Sequence, residues 1–241
     1  MNRTALKIIA CLTMLIDHIG FLLLPEVEWL RYIGRLAMPL FAFFIAEGCR
    51  YTSNKLRYFL QIFLLGVACQ SVYIAEQAIF SEVRSFYLNI LLTFSFSILI
   101  CFAYLYWEKA TENGNMIKSR IAALLVLGAV LFAAGFCAFC QYVDSETYYE
   151  LTLDYGLPGV LLPLAAILSK DRNKQFLYFS LALIFFCIIG SQNTPYVWFA
   201  LFDIPLLAFY NGQKGKTRFK YGFYLFYPAH LAALYLIQTI F

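Results

Sequence analysis

The chain has 241 residues, 62% of them hydrophobic and 13% charged, with a formal net charge of +4 and a mean hydropathy of +0.72. Soluble domains carry roughly 45–50% apolar and about 25% charged residues, and a globule in water must still cover much of its surface with polar groups. A soluble enzyme, a disordered segment and a nucleic-acid-binding module are excluded; the composition is that of an all-α, polytopic membrane protein. Bilayer-spanning helices need about 20 mostly apolar residues. Such runs fall at approximately 4–24, 30–49, 57–80, 86–107, 119–141, 151–168, 175–192, 195–210 and 221–241. The first is not read as a cleaved signal peptide, because it holds Asp17 and His18 and lacks a small-residue cleavage site. The sixth carries Asp154, Gly156, Pro158, Gly159 and Pro163, so a broken or kinked helix is expected there, tolerated at membrane depth only against protein or a wet cavity. The eighth is short, with Asp203 and Pro205 near its middle.

The connections suggest an orientation. Arg3 and Lys7 precede or open the first helix, and Arg50, Lys55 and Arg57 lie between the second and third. Lys109, Lys118 and Arg120 follow the fourth, Lys170, Arg172 and Lys174 the sixth, and Lys214, Lys216, Arg218 and Lys220 the eighth. The alternate connections are acidic or uncharged apart from Arg84. The positive-inside rule makes the basic side cytoplasmic, which predicts nine helices, an N-terminus inside and a C-terminus outside, in one membrane domain spanning 1–241. The seven cysteines sit in apolar runs and read as small buried hydrophobes, including the Cys137-x-x-Cys140 pair.

A charge at bilayer depth costs at least about 2.5–3.5 kcal/mol on insertion scales and marks a functional site by default. The shortlist is Asp17, His18, Arg35, Glu47, Glu76, Asp203 and His230, with Arg31 at a helix end and Lys7 just inside one. Lys7 and His18 are eleven residues apart, roughly 16 Å along a helix at 1.5 Å per residue. The first two helices, antiparallel neighbours, place Asp17, His18 and Arg35 in one polar layer and Lys7 with Glu47 in another. Each layer can be an interhelical ion pair, but an imidazole beside Asp–Arg exceeds what an ion pair needs, and its ordinary pKa suits proton transfer near neutrality. His230, within Phe226-Tyr227-Pro228-Ala229-His230, lies beside an expected proline kink. With two histidines and no Cys/His cluster, no metal centre is expected. Between the last two helices, Tyr210-Asn211-Gly212-Gln213-Lys214-Gly215-Lys216 reads as a tight basic turn or as a phosphate-approaching loop.

Several blocks carry a family resemblance: KIIACLTMLIDHIG from Lys7 to Gly20, GRLAMPLFAFFIAEGCRYTSN from Gly34 to Asn54, Asp154-Tyr155-Gly156, YNGQKG from Tyr210, and KYGFYLFYPAHL from Lys220. In this order, across essentially the whole chain, they resemble the TraX family of membrane proteins, named after the conjugative pilin acetylase. The resemblance implies an inner-membrane acetyltransferase, similar in plan to the family-3 acyltransferases. Those proteins carry a basic residue, ten intervening residues and a His in their first helix, a spacing that Lys7 and His18 match. It implies His18 as the central catalytic histidine, while Arg35, Glu47, Asn211, Tyr227 and His230 fall in the family's recurring blocks.

The expected reaction is transfer of an acetyl group from acetyl-CoA, with no metal, to an amine or hydroxyl on a pilin or an envelope glycan. His18 is then the base, Asp17 the group that sets its tautomer, Arg35 the oxyanion stabiliser, and Glu47 a further candidate in the catalytic set. Lys7, Arg50, Asn211, Lys214, Lys216, Tyr227 and His230 form the candidate cofactor-binding set. Two other classes remain open: a proton-coupled transporter built on the same intramembrane charges, against which stands the lack of an inverted repeat, and a non-catalytic assembly protein.

Overall fold

The computed structural model describes residues 1–80, 87–147, 151–192, 194–213, 215 and 220–238. Among these, helix is the only repeating structure, apart from one isolated parallel bridge between Leu88 and Leu153. The helices are α1 (Arg3–Leu22), α2 (Trp29–Gly34), α3 (Ala37–Tyr51), α4 (Lys55–Phe80), α5 (Ile90–Glu112), α6 (Met116–Thr147), α7 (Gly156–Ala165) and α8 (Arg172–Gly190). A 3₁₀ helix (Pro195–Phe202) then runs into α9 (Asp203–Ala208), and α10 (Lys220–Gln238) follows.

Each of the nine expected apolar segments contains helix. Six are long and apolar enough to cross a membrane: Arg3–Leu22, Trp29–Tyr51, Lys55–Ala75, Ile90–Glu112, Met116–Val143 and Arg172–Gly190. The other three apolar helices, Gly156–Ala165, Pro195–Ala208 and Leu225–Gln238, are shorter. The protein is therefore a multi-pass helical membrane protein, and the shortening has local causes. Tyr155 and Gly156 both adopt left-handed backbone, with φ of 58° and 52°, so α7 cannot extend backwards, and Pro163 removes an N–H within it. Pro195 opens the 3₁₀ helix, and Pro205 sits in the first turn of α9, where its missing N–H is tolerated.

The chain folds as two compact units, Met1–Phe43 with Lys170–Phe241, and Phe44–Ser169, so the boundary falls inside α3. In the second unit α5 packs against α4, α6 and α7, around Ile100, Ala133, Leu153 and Val160. Polar side chains hold its irregular backbone. Ser97 donates to the Val160 carbonyl at 2.7 Å, Thr93 to that of Asp154 at 2.9 Å, and Asn89 to that of Gly66 at 2.8 Å. The outer face of α6 is apolar and open, with Leu124 and Phe132 both exposed, as a lipid-facing helix requires. All seven cysteines are free, and all but the half-buried Cys137 are buried.

In the first unit α1 packs on α2 and α10, and α8 on the 3₁₀ helix and α9. Asn2 caps α1, its Oδ1 accepting the Ala5 N–H at 2.9 Å. Two glycines set the approach of α1 and α2. A Cβ on Gly20 would stand 2.7 Å from Leu30 Cβ, and one on Gly34 would stand 2.3 Å from Asp17 Cβ. Small residues are what allow membrane helices to close to this distance. Lys7 Nζ lies over the Phe223 ring at 5.4 Å, and His18 meets His230 further along both helices. Hence α1 and α10 run parallel.

Two measurements follow from this packing. The Cβ collision at Gly34 involves backbone-anchored atoms that cannot swing aside, so Gly34→Ala lowers the thermal midpoint of the purified protein in detergent, an overpacking cost of about 1–3 kcal/mol; an unchanged midpoint would refute the close contact. Asp203 is completely buried, and neither carboxyl oxygen has a hydrogen-bond partner among the described residues. A buried unsatisfied polar group costs on the order of 1–3 kcal/mol, so Asp203→Leu raises the midpoint.

Candidate functional site

The polar layer of the first unit is built from the C-terminal turns of α1 and from α2 with the residue that follows it. Arg31 Nη1 donates to Asp17 Oδ2 at 2.9 Å and to the Asp17 carbonyl at 3.1 Å. Arg35 Nη2 donates to Asp17 Oδ1 at 2.6 Å, and Arg35 Nε to the Arg31 carbonyl at 3.3 Å. The four-residue spacing of the arginines puts both on one face of the α2 turn, and Gly34 between them lets the carboxylate reach in. Aromatic rings brace the guanidinium groups: Arg31 lies over Phe21 at 5.0 Å and Arg35 over Tyr196 of the 3₁₀ helix at 5.3 Å. One carboxylate against two guanidinium groups leaves this trio with a formal charge of +1.

His18 points away from that trio. Its Nδ1 lies 2.8 Å from the Met14 carbonyl and 3.3 Å from His230 Nε2, while His230 Nδ1 lies 2.8 Å from the Phe226 carbonyl. A carbonyl only accepts, so in the neutral pair each Nδ1 carries the proton. His230 Nε2 then accepts a second branch of the His18 N–H, and the lone pair of His18 resides on Nε2. This corrects the expected role of Asp17. Successive helical residues point about 100° apart, so the carboxylate faces the arginines, and the tautomer is set by a carbonyl one turn earlier together with His230. Tyr227 and Phe226 enclose the pair. The His18 and His230 rings meet edge-on at 4.9 Å, Phe226 stacks on His230 at 4.9 Å, and Tyr227 approaches both imidazoles edge-on.

Seven of the expected site residues thus belong to the first unit: Lys7, Asp17, His18, Arg35, Asn211, Tyr227 and His230. Lys7 shares the His18 face of α1 at the helix's other end. Asn211 lies in the turn beside the start of α1, its N–H donating to the Met1 carbonyl at 2.8 Å and its Oδ1 accepting the Gln213 N–H at 3.0 Å. Lys214 and Lys216 lie outside the described residues. Glu47 and Arg50 belong to the second unit, where Glu47 is buried. Arg50, expected at the cofactor, donates to Glu108 at 3.2 Å and to the carbonyls of Ile167 and Ser169. It closes the open end after α7, where the orphaned carbonyls of a finished helix need donors.

Three contributors had no assigned role in the sequence reading: Arg31, which was shortlisted only as a charge at a helix end, the Met14 carbonyl and Gly34. The first had a signal in the i, i+4 spacing of Arg31 and Arg35. The other two act through backbone, which a residue-type search does not register.

Comparison with known proteins places this geometry. The family model described as TraX protein matches residues 2–238. The chain is 30% identical over 250 residues to the probable fimbrial assembly protein FimC, serogroup H1, of Dichelobacter nodosus, covering 95% of this chain and 92% of that one. It is also 30% identical over 186 residues to the uncharacterized protein RP591 of Rickettsia prowazekii (strain Madrid E), covering 77% of this chain and 63% of the relative. No solved structure matches. The glycine-hinged Asp17–arginine trio and the His18–His230 pair are thus features of a chain that belongs to the TraX family.

Proposed function

We propose that the protein is a membrane acyltransferase that moves an acetyl group from acetyl-CoA to an amine or hydroxyl acceptor, with His18 Nε2 as general base. The observation that carries this reading is the double constraint on His18. Met14 and His230 both draw on Nδ1–H, which leaves the Nε2 lone pair for a substrate. As the acceptor nitrogen or oxygen attacks the thioester carbonyl, its proton passes to Nε2, and the carbonyl becomes a tetrahedral oxyanion. Collapse breaks the C–S bond, and the imidazolium returns the proton to the departing thiolate, so CoA leaves as the thiol. General base catalysis of this kind contributes typically 10²–10⁴-fold. The net positive Asp17–Arg31–Arg35 trio supplies a fixed field that favours the oxyanion.

The parallel course of α1 and α10 supports an orientation in which both begin at the cytoplasmic rim, where the basic connections lie and where CoA is available. Residence in the inner membrane goes with that orientation. The name of the Dichelobacter relative favours an acceptor in fimbrial assembly, a pilin or another envelope molecule. The same name favours a second reading, an assembly protein without catalysis.

Membranes carrying the wild-type chain, His18→Ala or His18→Gln separate the two readings. With acetyl-CoA and envelope extract, release of CoA thiol falls at least about 100-fold in both variants, and mass spectrometry finds the acetylated acceptor only with the wild type. Equal rates in all three would sink the catalytic assignment and leave the assembly reading.

A further inference from the structure

The exposed side of α4 carries polar groups where a lipid-facing helix should carry few. Lys55–Ala75 is long and apolar enough to cross a membrane, and one side of it is well filled. Ile62 and Cys69 are buried, Lys55 Nζ lies over the Phe102 ring of α5 at 5.4 Å, and Tyr58 meets the same ring edge-on at 6.5 Å. On the other side Leu56, Leu60 and Leu64 recur at every fourth position and are 67%, 39% and 59% exposed. Beside this apolar ridge run Asn54, Arg57 and Gln61, and the two rows line an open groove of about 290 Å³.

The donors along the groove find no acceptor within the protein. Asn54 Oδ1 accepts the Arg57 backbone N–H at 2.9 Å, which leaves the Asn54 amide nitrogen over. That nitrogen, the Arg57 guanidinium and the Gln61 amide all lack a hydrogen-bond partner among the described residues. Arg57 stands at the helix start, where water reaches it, but Gln61 lies four residues or roughly 6 Å further in. An amide without a partner in hydrocarbon is strongly unfavourable, so the surroundings must supply an acceptor at that depth.

Charge and depth together identify the acceptor. Between Gly48 and Ala75 the sequence has Arg50, Lys55 and Arg57 but no acid. Arg50 is engaged by Glu108 and Lys55 by the Phe102 ring, so Arg57 is the cation left facing the groove. The polar layer on each side of the hydrocarbon is about 5–8 Å deep, which matches the rise from Arg57 to Gln61. A phospholipid presents phosphate oxygens at the top of that layer, ester carbonyls at its base and acyl chains below. A zwitterionic headgroup would bring a second cation up to Arg57, whereas an anionic one would not.

We propose that this groove binds one anionic diacyl phospholipid. Arg57 and the Asn54 amide take its phosphate oxygens, the Gln61 amide N–H donates to an ester carbonyl, and an acyl chain lies along Leu56, Leu60 and Leu64. Guanidinium forks suit phosphate oxygens in this way. The connection that holds Arg57 is one of the basic ones, so the lipid belongs to the leaflet that the positive-inside rule makes cytoplasmic. The groove lies wholly within the second unit and does not depend on the acyltransferase reading.

Native mass spectrometry of the delipidated full chain tests the site, with dioleoylphosphatidylglycerol and dioleoylphosphatidylcholine titrated in separate arms. The wild type retains phosphatidylglycerol in preference to phosphatidylcholine. Arg57→Gln, at an exposed position, weakens phosphatidylglycerol about fivefold, the effect of one cation at an anionic lipid surface, and leaves phosphatidylcholine within twofold; Arg57→Lys keeps the preference. Gln61→Leu removes the donor to the ester, which both lipids share, and weakens both alike. Equal retention of the two lipids by the wild type overturns the site, as does phosphatidylglycerol retention at the wild-type level in both Arg57→Gln and Gln61→Leu. Loss of a dimer in Arg57→Gln with lipid retention unchanged gives the groove to a second copy of the chain and likewise overturns the site.

Discussion

One carboxylate holds two guanidinium groups inside the apolar part of this protein, and the first unit is arranged around that contact. Asp17 on α1 bonds both arginines of the α2 turn. Hydrocarbon supplies no hydrophobic drive to press helices together, so specific polar contact and close backbone approach must do it. Breaking such a pair strands the surviving charge, a loss of about 3–5 kcal/mol in buried examples. The trio therefore fixes α1 against α2, and α1 in turn presents His18 to α10. Tyr196 over Arg35 extends the same constraint to the 3₁₀ helix.

Much of this was legible in the sequence because hydrocarbon imposes one rule on every residue. Apolar length marked the helical segments, and Gly156, Pro158, Gly159 and Pro163 marked the sixth as broken or kinked. The improbable residues Asp17, His18 and Arg35 pointed to the polar layer. Contacts that depend on rotation about a helix axis were less accessible. Asp17 and His18 are adjacent in sequence yet serve different faces, and nothing in their spacing says that the imidazole turns to a residue 212 positions away. Arg50 illustrates the converse. As a basic residue at a helix end it resembles any cofactor contact, and only the position of the Ile167 and Ser169 carbonyls assigns it to the end of α7. The division of the chain inside α3 left no mark in composition, because a continuous apolar helix reads the same on both sides of the boundary.

The two parts of the first unit also divide their chemistry by depth. Near the start of α1 the cations Arg3 and Arg172 are arrayed around Tyr210, where one ring face and one hydroxyl give them fixed positions. A further four turns along, Arg31 and Arg35 are held by a carboxylate, and the His18–His230 pair occupies a different face of α1. Charge density thus falls along α1 as proton-accepting capacity rises.

The pairing of His18 with His230 has a consequence for how the protein is made. The two residues come from α1 and α10, so a nascent chain leaving the ribosome holds α1 in the bilayer throughout the synthesis of all intervening segments before His230 can meet His18. Contacts of such long sequence separation form late, because chain closure must be met before they reward it. The Met14 carbonyl can hold the His18 Nδ1–H from the start, but the second partner of that N–H and the aromatic enclosure by Phe226 and Tyr227 come only with α10.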